Sequence, residues 1–115
     1  MKVYGIPNCD TVKKALDWLR ANNVAYEFHN FKKEGLSTEK LGEWDAKAGY
    51  EKFLNKKSTT WNQLDPEVKE SIKTNTDALK LLQEKTSMIK RPVIETDNFL
   101  FFGFDEGVYR EKLIK

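Results

Sequence analysis

A strand that hands over to a helix across a four-residue break opens this chain. Lys2-Val3-Tyr4 is a short β-type run, Gly5-Ile6-Pro7-Asn8 interrupts it, and Val12, Ala15, Leu16 and Leu19 then recur at the i, i+3, i+4 and i+7 spacing of one helix face. The spacing predicts a helix from about Thr11 to Ala21, closed by Asn22-Asn23, whose side chains suit a helix C-terminus. A second strand follows in 25–31, with Tyr26 and Phe28 on one face. A strand, a helix and a strand of these lengths form a βαβ unit, so the two strands are expected to run parallel with a right-handed crossover. The break places Cys9, the chain's single cysteine, at the carboxyl end of the first strand and at the start of the helix.

That placement has a chemical consequence. The first amides of a helix lack intrahelical acceptors and the macrodipole is positive there, so a thiolate is favoured over a thiol. A pKa below that of a free cysteine is expected, opposed by the neighbouring carboxylate of Asp10. One cysteine forms no internal disulfide, and an unpaired thiol suits a reducing compartment. No apolar run approaches the roughly 20 residues that cross a bilayer, and Met1-Lys2-Val3 begins a strand instead of a signal peptide. A cytoplasmic protein without membrane contact is expected. Hydrophobic residues at 39% and charged residues at 33% exclude a disordered chain. A net charge of +2 is too small to imply direct nucleic-acid contact, and the basic pairs Lys56-Lys57 and Lys90-Arg91 read as solvated surface. His29 reads as a solvent-facing strand residue. With one His and one Cys, no metal site and no bound cofactor are expected. Trp18, Trp44 and Trp61 read as packing residues.

From Lys32 to Ser87 the pattern is helical. Leu36-Ser37 opens a helix carrying Leu41, Trp44 and Ala48, which Gly49 closes. Tyr50 to Leu54 reads as a short turn, and Thr59 to Leu64 as a loop or single turn. Asp65-Pro66 starts a helix bearing Val68 and Ile72, because Asp caps and Pro is preorganised for the first helical position. Another is expected from about Thr76 to Lys85. The sheet resumes over 89–95, turns at Thr96-Asp97-Asn98 and returns over 99–102 as an antiparallel hairpin. Asp105 caps a last helix, with Phe104 and Tyr109 at the two positions of a hydrophobic staple. The order is β-α-β, helices, β-β-α.

This order, together with Gly5-Ile6-Pro7-Asn8-Cys9-Asp10-Thr11-Val12-Lys13-Lys14-Ala15, Thr59-Thr60-Trp61 and Arg91-Pro92-Val93, resembles the arsenate reductase-like family, which includes the Spx-type transcription regulators. Within that family the chain most resembles the branch of small proteins regarded as glutathione-dependent thiol reductases. The resemblance covers essentially the whole chain. It implies an α/β, thioredoxin-like fold: a four-stranded mixed sheet flanked by helices, in a single domain whose βαβ half (1–31) and ββα half (89–115) are separated by a helical insertion (32–88). It implies that Cys9 is the nucleophile, that Arg91 faces it and binds an anion, and that Pro92 is cis and brings backbone groups beside the thiol. Two departures bear on function. The positions matching the arsenate reductases' other two arginines hold Asn55 and, near Gly103-Phe104, no cation, although Lys56 or Lys57 can supply a point charge. Where Spx-type regulators carry the second cysteine of a Cys-x-x-Cys switch, this chain has Val12.

The reading that follows is a monomeric, glutathione-linked thiol-disulfide oxidoreductase. Cys9 attacks a mixed disulfide, Arg91 stabilises the thiolate or a glutathione carboxylate, and external glutathione, the co-substrate, resolves the adduct. Asn8, Lys13 and the backbone N–H groups of Asp10 and Thr11 are expected to hold the anionic partner, with Pro92, Lys56 and Lys57 completing the substrate-binding set. The first alternative is a glutathione/glutaredoxin-dependent arsenate reductase acting on an oxyanion. The second is an Spx-type regulator that docks on the RNA polymerase α subunit.

Overall fold

Four strands, β1 (Lys2–Gly5), β2 (Glu27–Asn30), β3 (Val93–Glu95) and β4 (Leu100–Phe102), form one mixed sheet in the order β2-β1-β3-β4. The computed structural model describes residues 1–114. β1 runs parallel to β2, with Gly5 beside Asn30, and antiparallel to β3, with Val3 opposite Ile94. β4 returns antiparallel along β3. The α/β architecture is the one expected. Among the described residues seven α-helices accompany the sheet, and the chain divides into two compact units: Met1–Glu34 with the residues from Arg91 onward, and Gly35–Lys90.

The first unit holds the sheet, α1 (Asp10–Ala21), α2 (Phe31–Glu34) and, at its end, α7 (Glu106–Leu113). The apolar stripe of α1 supplies Ala15, Trp18 and Leu19 to a core shared with Val3, Ile94 and Tyr109. Burying a large apolar side chain stabilises by about 1.5–3 kcal/mol, so this stripe and not helix propensity holds α1 in place. The start of α7 follows the expected pattern. The Asp105 carboxylate accepts from Val108 N–H at 3.1 Å, and the Phe104 and Tyr109 rings meet edge-on at 5.1 Å. The Tyr109 hydroxyl also donates to Gly103 O at 2.6 Å, tying α7 to the end of the β3–β4 hairpin. Burial, assisted by the Asp105 charge, raises the phenol's pKa. Tyr109→Phe is therefore expected to cost about 1 kcal/mol, lowering Tm by roughly 4 °C in thermal unfolding followed by circular dichroism. An unchanged Tm would show that the bond contributes nothing.

The second unit contains α3 (Thr38–Ala48), α4 (Thr59–Asn62), α5 (Pro66–Glu70) and α6 (Asn75–Glu84). Ser37 caps α3 by accepting from Lys40 N–H at 3.0 Å, and Gly49 ends it at φ 84°, a conformation that a Cβ disfavours. Leu41, Trp44, Phe53, Leu82, Met88 and Ile89 are fully buried. Asp65 stands at the N-cap of α5 with Pro66 in the first turn, but its side chain makes no capping bond; its carbonyl accepts from Val68 and Lys69. α6 starts earlier than its apolar residues alone suggest, because Thr74 and Asp77 form a reciprocal capping box.

Two strand assignments need correction. The expected strand over 89–95 is confined to Val93–Glu95, since Ile89 makes an isolated antiparallel bridge to Leu54 and Lys90 N–H donates to Phe53 O at 2.8 Å. The strand expected over 25–31 stops at Asn30, whose Oδ1 accepts from the amides of Lys32 and Lys33 and so turns the chain into α2.

Candidate functional site

Cys9 occupies the N-cap of α1, with extended backbone (φ −127°, ψ 123°) and its carbonyl accepting from Lys13 N–H at 2.9 Å. Its side chain is partly exposed. The seat of this turn depends on Gly5, the last residue of β1. A Cβ there would meet the two Val12 methyls at 3.0 and 3.3 Å and Phe28 Cε1 at 3.5 Å. The missing side chain lets the first turn of α1 lie against the sheet, with Val12 fully buried.

Arg91 reaches the thiol from the segment leading into β3. The Arg91–Pro92 peptide bond is cis, Pro92 is buried, and its carbonyl accepts from Gly103 N–H at 2.7 Å. Burial alone would raise the pKa of Cys9. The Val12 N–H, a hydrogen bond from the Arg91 side chain, the Thr11 N–H and the Arg91 charge together outweigh it, and the pKa falls below that of an ordinary thiol. Although Cys9 closes no capping bond as strict as that of Ser37, the amides two and three residues on stabilise its charge, as they do for an oxygen at an N-cap.

The backbone donors to the Cys9 sulfur are thus Thr11 and Val12. Asp10 is the first residue of α1, and N-cap side chains accept from the second and third helical positions, which here are Thr11 and Val12. The thiol is a group whose folded-state pKa is depressed. Its contribution to stability is complete above the unfolded value of about 8.5 and is lost as pH falls through the lower folded value. The stability of the wild type relative to Cys9→Ser should therefore rise with pH up to about 8.5 and then level off, measurable by denaturant unfolding across that range. A pH-independent difference would contradict the depressed pKa.

The other expected site residues divide by place. Asn8 lies exposed in the turn before Cys9, and the side chains of Asp10, Thr11 and Lys13 are exposed on the first turn of α1. Pro92 stands beside Arg91. Lys56 and Lys57 belong to the second unit, where they line a concavity with Lys90. His29 is not simply solvent-facing. Its ring lies 5.1 Å from that of Tyr4, and its Nδ1 is 3.6 Å from Glu34 Oε2. Among the described residues no group of His, Cys, Asp and Glu could hold a metal ion, and no helix is long and apolar enough to cross a membrane.

A mixed β2-β1-β3-β4 sheet with a lone thiol at its first βα turn, and an arginine-proline pair leading into the third strand, defines a thioredoxin-like protein with a single-cysteine site. The chain belongs to the ArsC family, whose model matches residues 4–112. It is 44% identical over 108 residues to an uncharacterised protein of Haemophilus influenzae, covering 94% of each chain. The solved structure of the YffB protein superposes with a TM-score of 0.91 at 39% identity, covering 97% of both chains. The global transcriptional regulator Spx of Lactiplantibacillus plantarum is 25% identical over 113 residues, covering 96% of this chain and 84% of its own.

Proposed function

We propose that this protein is a glutathione-linked thiol-disulfide oxidoreductase. The observation that carries the reading is the lowered pKa of Cys9, produced by the Val12 and Thr11 amides and by Arg91 around a thiol that remains partly exposed. Such a thiol is more readily ionised, and so more nucleophilic, than an ordinary cysteine at the same pH. In the first step the Cys9 thiolate attacks the glutathione sulfur of a substrate mixed disulfide. A Cys9–glutathione disulfide forms, and the substrate sulfur leaves as a thiolate and takes a proton from water. In the second step an external glutathione thiolate attacks the glutathione sulfur of that adduct, releasing Cys9 as thiolate and glutathione disulfide. One disulfide has then been exchanged for another: the substrate sulfur is returned to a thiol, one external glutathione is oxidised into glutathione disulfide together with the glutathione taken from the substrate, and no other oxidant or reductant is needed. Arg91 faces the charge that appears on Cys9 and is also suited to pair with a carboxylate of the incoming tripeptide. Val12 leaves the site without a second sulfur, so resolution falls to the external thiol. A reducing cytoplasm is the compartment that this cycle requires.

The test is mass spectrometry of wild type and Cys9→Ser after exposure to oxidised glutathione, followed by reduced glutathione. A single glutathione adduct on the wild type, removed by the second treatment and absent from Cys9→Ser, is expected. An unmodified Cys9 under conditions that modify free cysteine overturns the reading. The likeness to Spx favours a second reading, a transcription regulator that docks on RNA polymerase without a redox switch. Failure to recover the polymerase α subunit in a pull-down would count against that.

A further inference from the structure

The basic pairs of the sequence are not dispersed over the second unit. Lys56-Lys57 and Lys90 come together because the segments that carry them are laced side by side. Asn55 N–H donates to Met88 O at 2.7 Å, Lys90 N–H donates to Phe53 O at 2.8 Å, and Leu54 bridges Ile89 between them. The lacing is anchored from beneath, where Leu54 and Ile89 are 5% and 0% exposed. Asn55 shapes the turn above it: its Oδ1 accepts from Lys57 N–H at 3.0 Å and its carbonyl from Ser58 N–H at 3.1 Å. The result is a concavity of about 420 Å³ walled by Lys56, Lys57, Lys90, Glu51, Asn55 and Leu54.

Three lysines and one glutamate line that space, and among the described residues none of the three lysines is in an ion pair. Like charges gathered in a concavity repel, and low-dielectric walls strengthen the field in its mouth. Lys56 is further oriented by lying 5.8 Å over the Trp61 ring. An anion entering here meets an excess of positive charge, and each ammonium group is a point charge with rotatable donors that serves carboxylate and phosphate oxygens alike.

We propose that this concavity of the insertion is a binding site for a small ligand bearing at least two negative charges, as paired carboxylates or as a phosphate. Its volume of about 420 Å³ suits a metabolite or a short peptide. The Glu51 carboxylate would accept the ammonium group of an amino-acid-type ligand, which favours a zwitterion with two carboxylates over simple phosphate.

The site can be tested on the full chain by ¹H–¹⁵N correlation spectra at constant ionic strength, titrating S-methylglutathione, inorganic phosphate and, as a control, sodium chloride. S-methylglutathione supplies two carboxylates and an ammonium group without a reactive thiol, so the outcome does not depend on Cys9 chemistry. Saturable shifts of the Asn55, Lys56, Lys57 and Lys90 amides with S-methylglutathione identify a dicarboxylate site; saturation by phosphate alone identifies a phosphate site. Binding should weaken at least tenfold in the Lys57→Gln, Lys90→Gln double variant and persist in Lys57→Arg. Shifts that rise linearly with every anion, chloride included, or saturation unchanged in the double variant, would overturn the proposal.

Discussion

In Arg91→Ala protein, the alkylation rate of Cys9 at neutral pH is expected to fall several-fold and its pH profile to move toward that of a free thiol. Arg91 acts on Cys9 through both a side-chain hydrogen bond and its charge. A charge-assisted hydrogen bond contributes about 1.5–3 kcal/mol, and the partial exposure of Cys9 screens it toward the lower end, on the order of 1 kcal/mol. That corresponds to roughly a fivefold loss of thiolate near pH 7. The loss should be partial, since the Val12 and Thr11 amides remain in place. Arg91→Lys separates the two contributions: charge alone would restore most of the rate, whereas dependence on the guanidinium fork would leave it near that of the alanine variant. The measurement is the pH dependence of iodoacetamide alkylation, with the unfolded chain as reference. A profile that coincides with wild type would remove Arg91 from the site.

Gly5→Ala is expected to act on the same thiol from behind. The added methyl would stand 3.0 and 3.3 Å from the two Val12 methyls, so Val12, packed between it and the core, must give by a few tenths of an ångström and presses on the first turn of α1. Overpacking of this kind costs about 1–3 kcal/mol, which lowers Tm by roughly 4–15 °C for a domain of this size. Because Val12 is both the residue displaced and the largest amide contributor to thiolate stabilisation, Cys9 alkylation should slow as well. Adding Val12→Ala removes the clash and keeps the amide. The double variant should then recover alkylation and be less destabilised than the sum of the single changes by about 1 kcal/mol. Strict additivity would show that the close approach sets neither property.

Much of this was legible in the residues, and what escaped has definable causes. The periodicity of Val12, Ala15, Leu16 and Leu19 gave α1, and the Phe104-Asp105-Tyr109 pattern gave the start of α7, because cap and staple are local chemistry that tertiary structure did not override. α2 went unread although Asn30 carries the signal for it: a short polar side chain able to hold the next two amides. Ile89 was read as strand because an apolar residue before a β-type run looks the same whether it joins a sheet or makes one bridge; only the distant Leu54 decides. The site divides in the same way. Cys9 at a helix start is visible in the spacing, whereas the pairing with Arg91 joins distant parts of the chain and was reached through family resemblance. The Val12 donor is not legible in the residue type, because the side chain is aliphatic and the contribution comes from the backbone.

The amides of Val12 and Thr11 and the guanidinium of Arg91 stabilise whatever negative charge rests on the Cys9 sulfur, whether it arrives as a nucleophile or departs from a disulfide. A sulfur so supported is a good leaving group, and any mixed disulfide formed at this position gives up those contacts while it lasts. In the proposed cycle the oxidised form would therefore be the short-lived one, persisting only until an attacking thiol arrives, and the reduced form would be the one at rest.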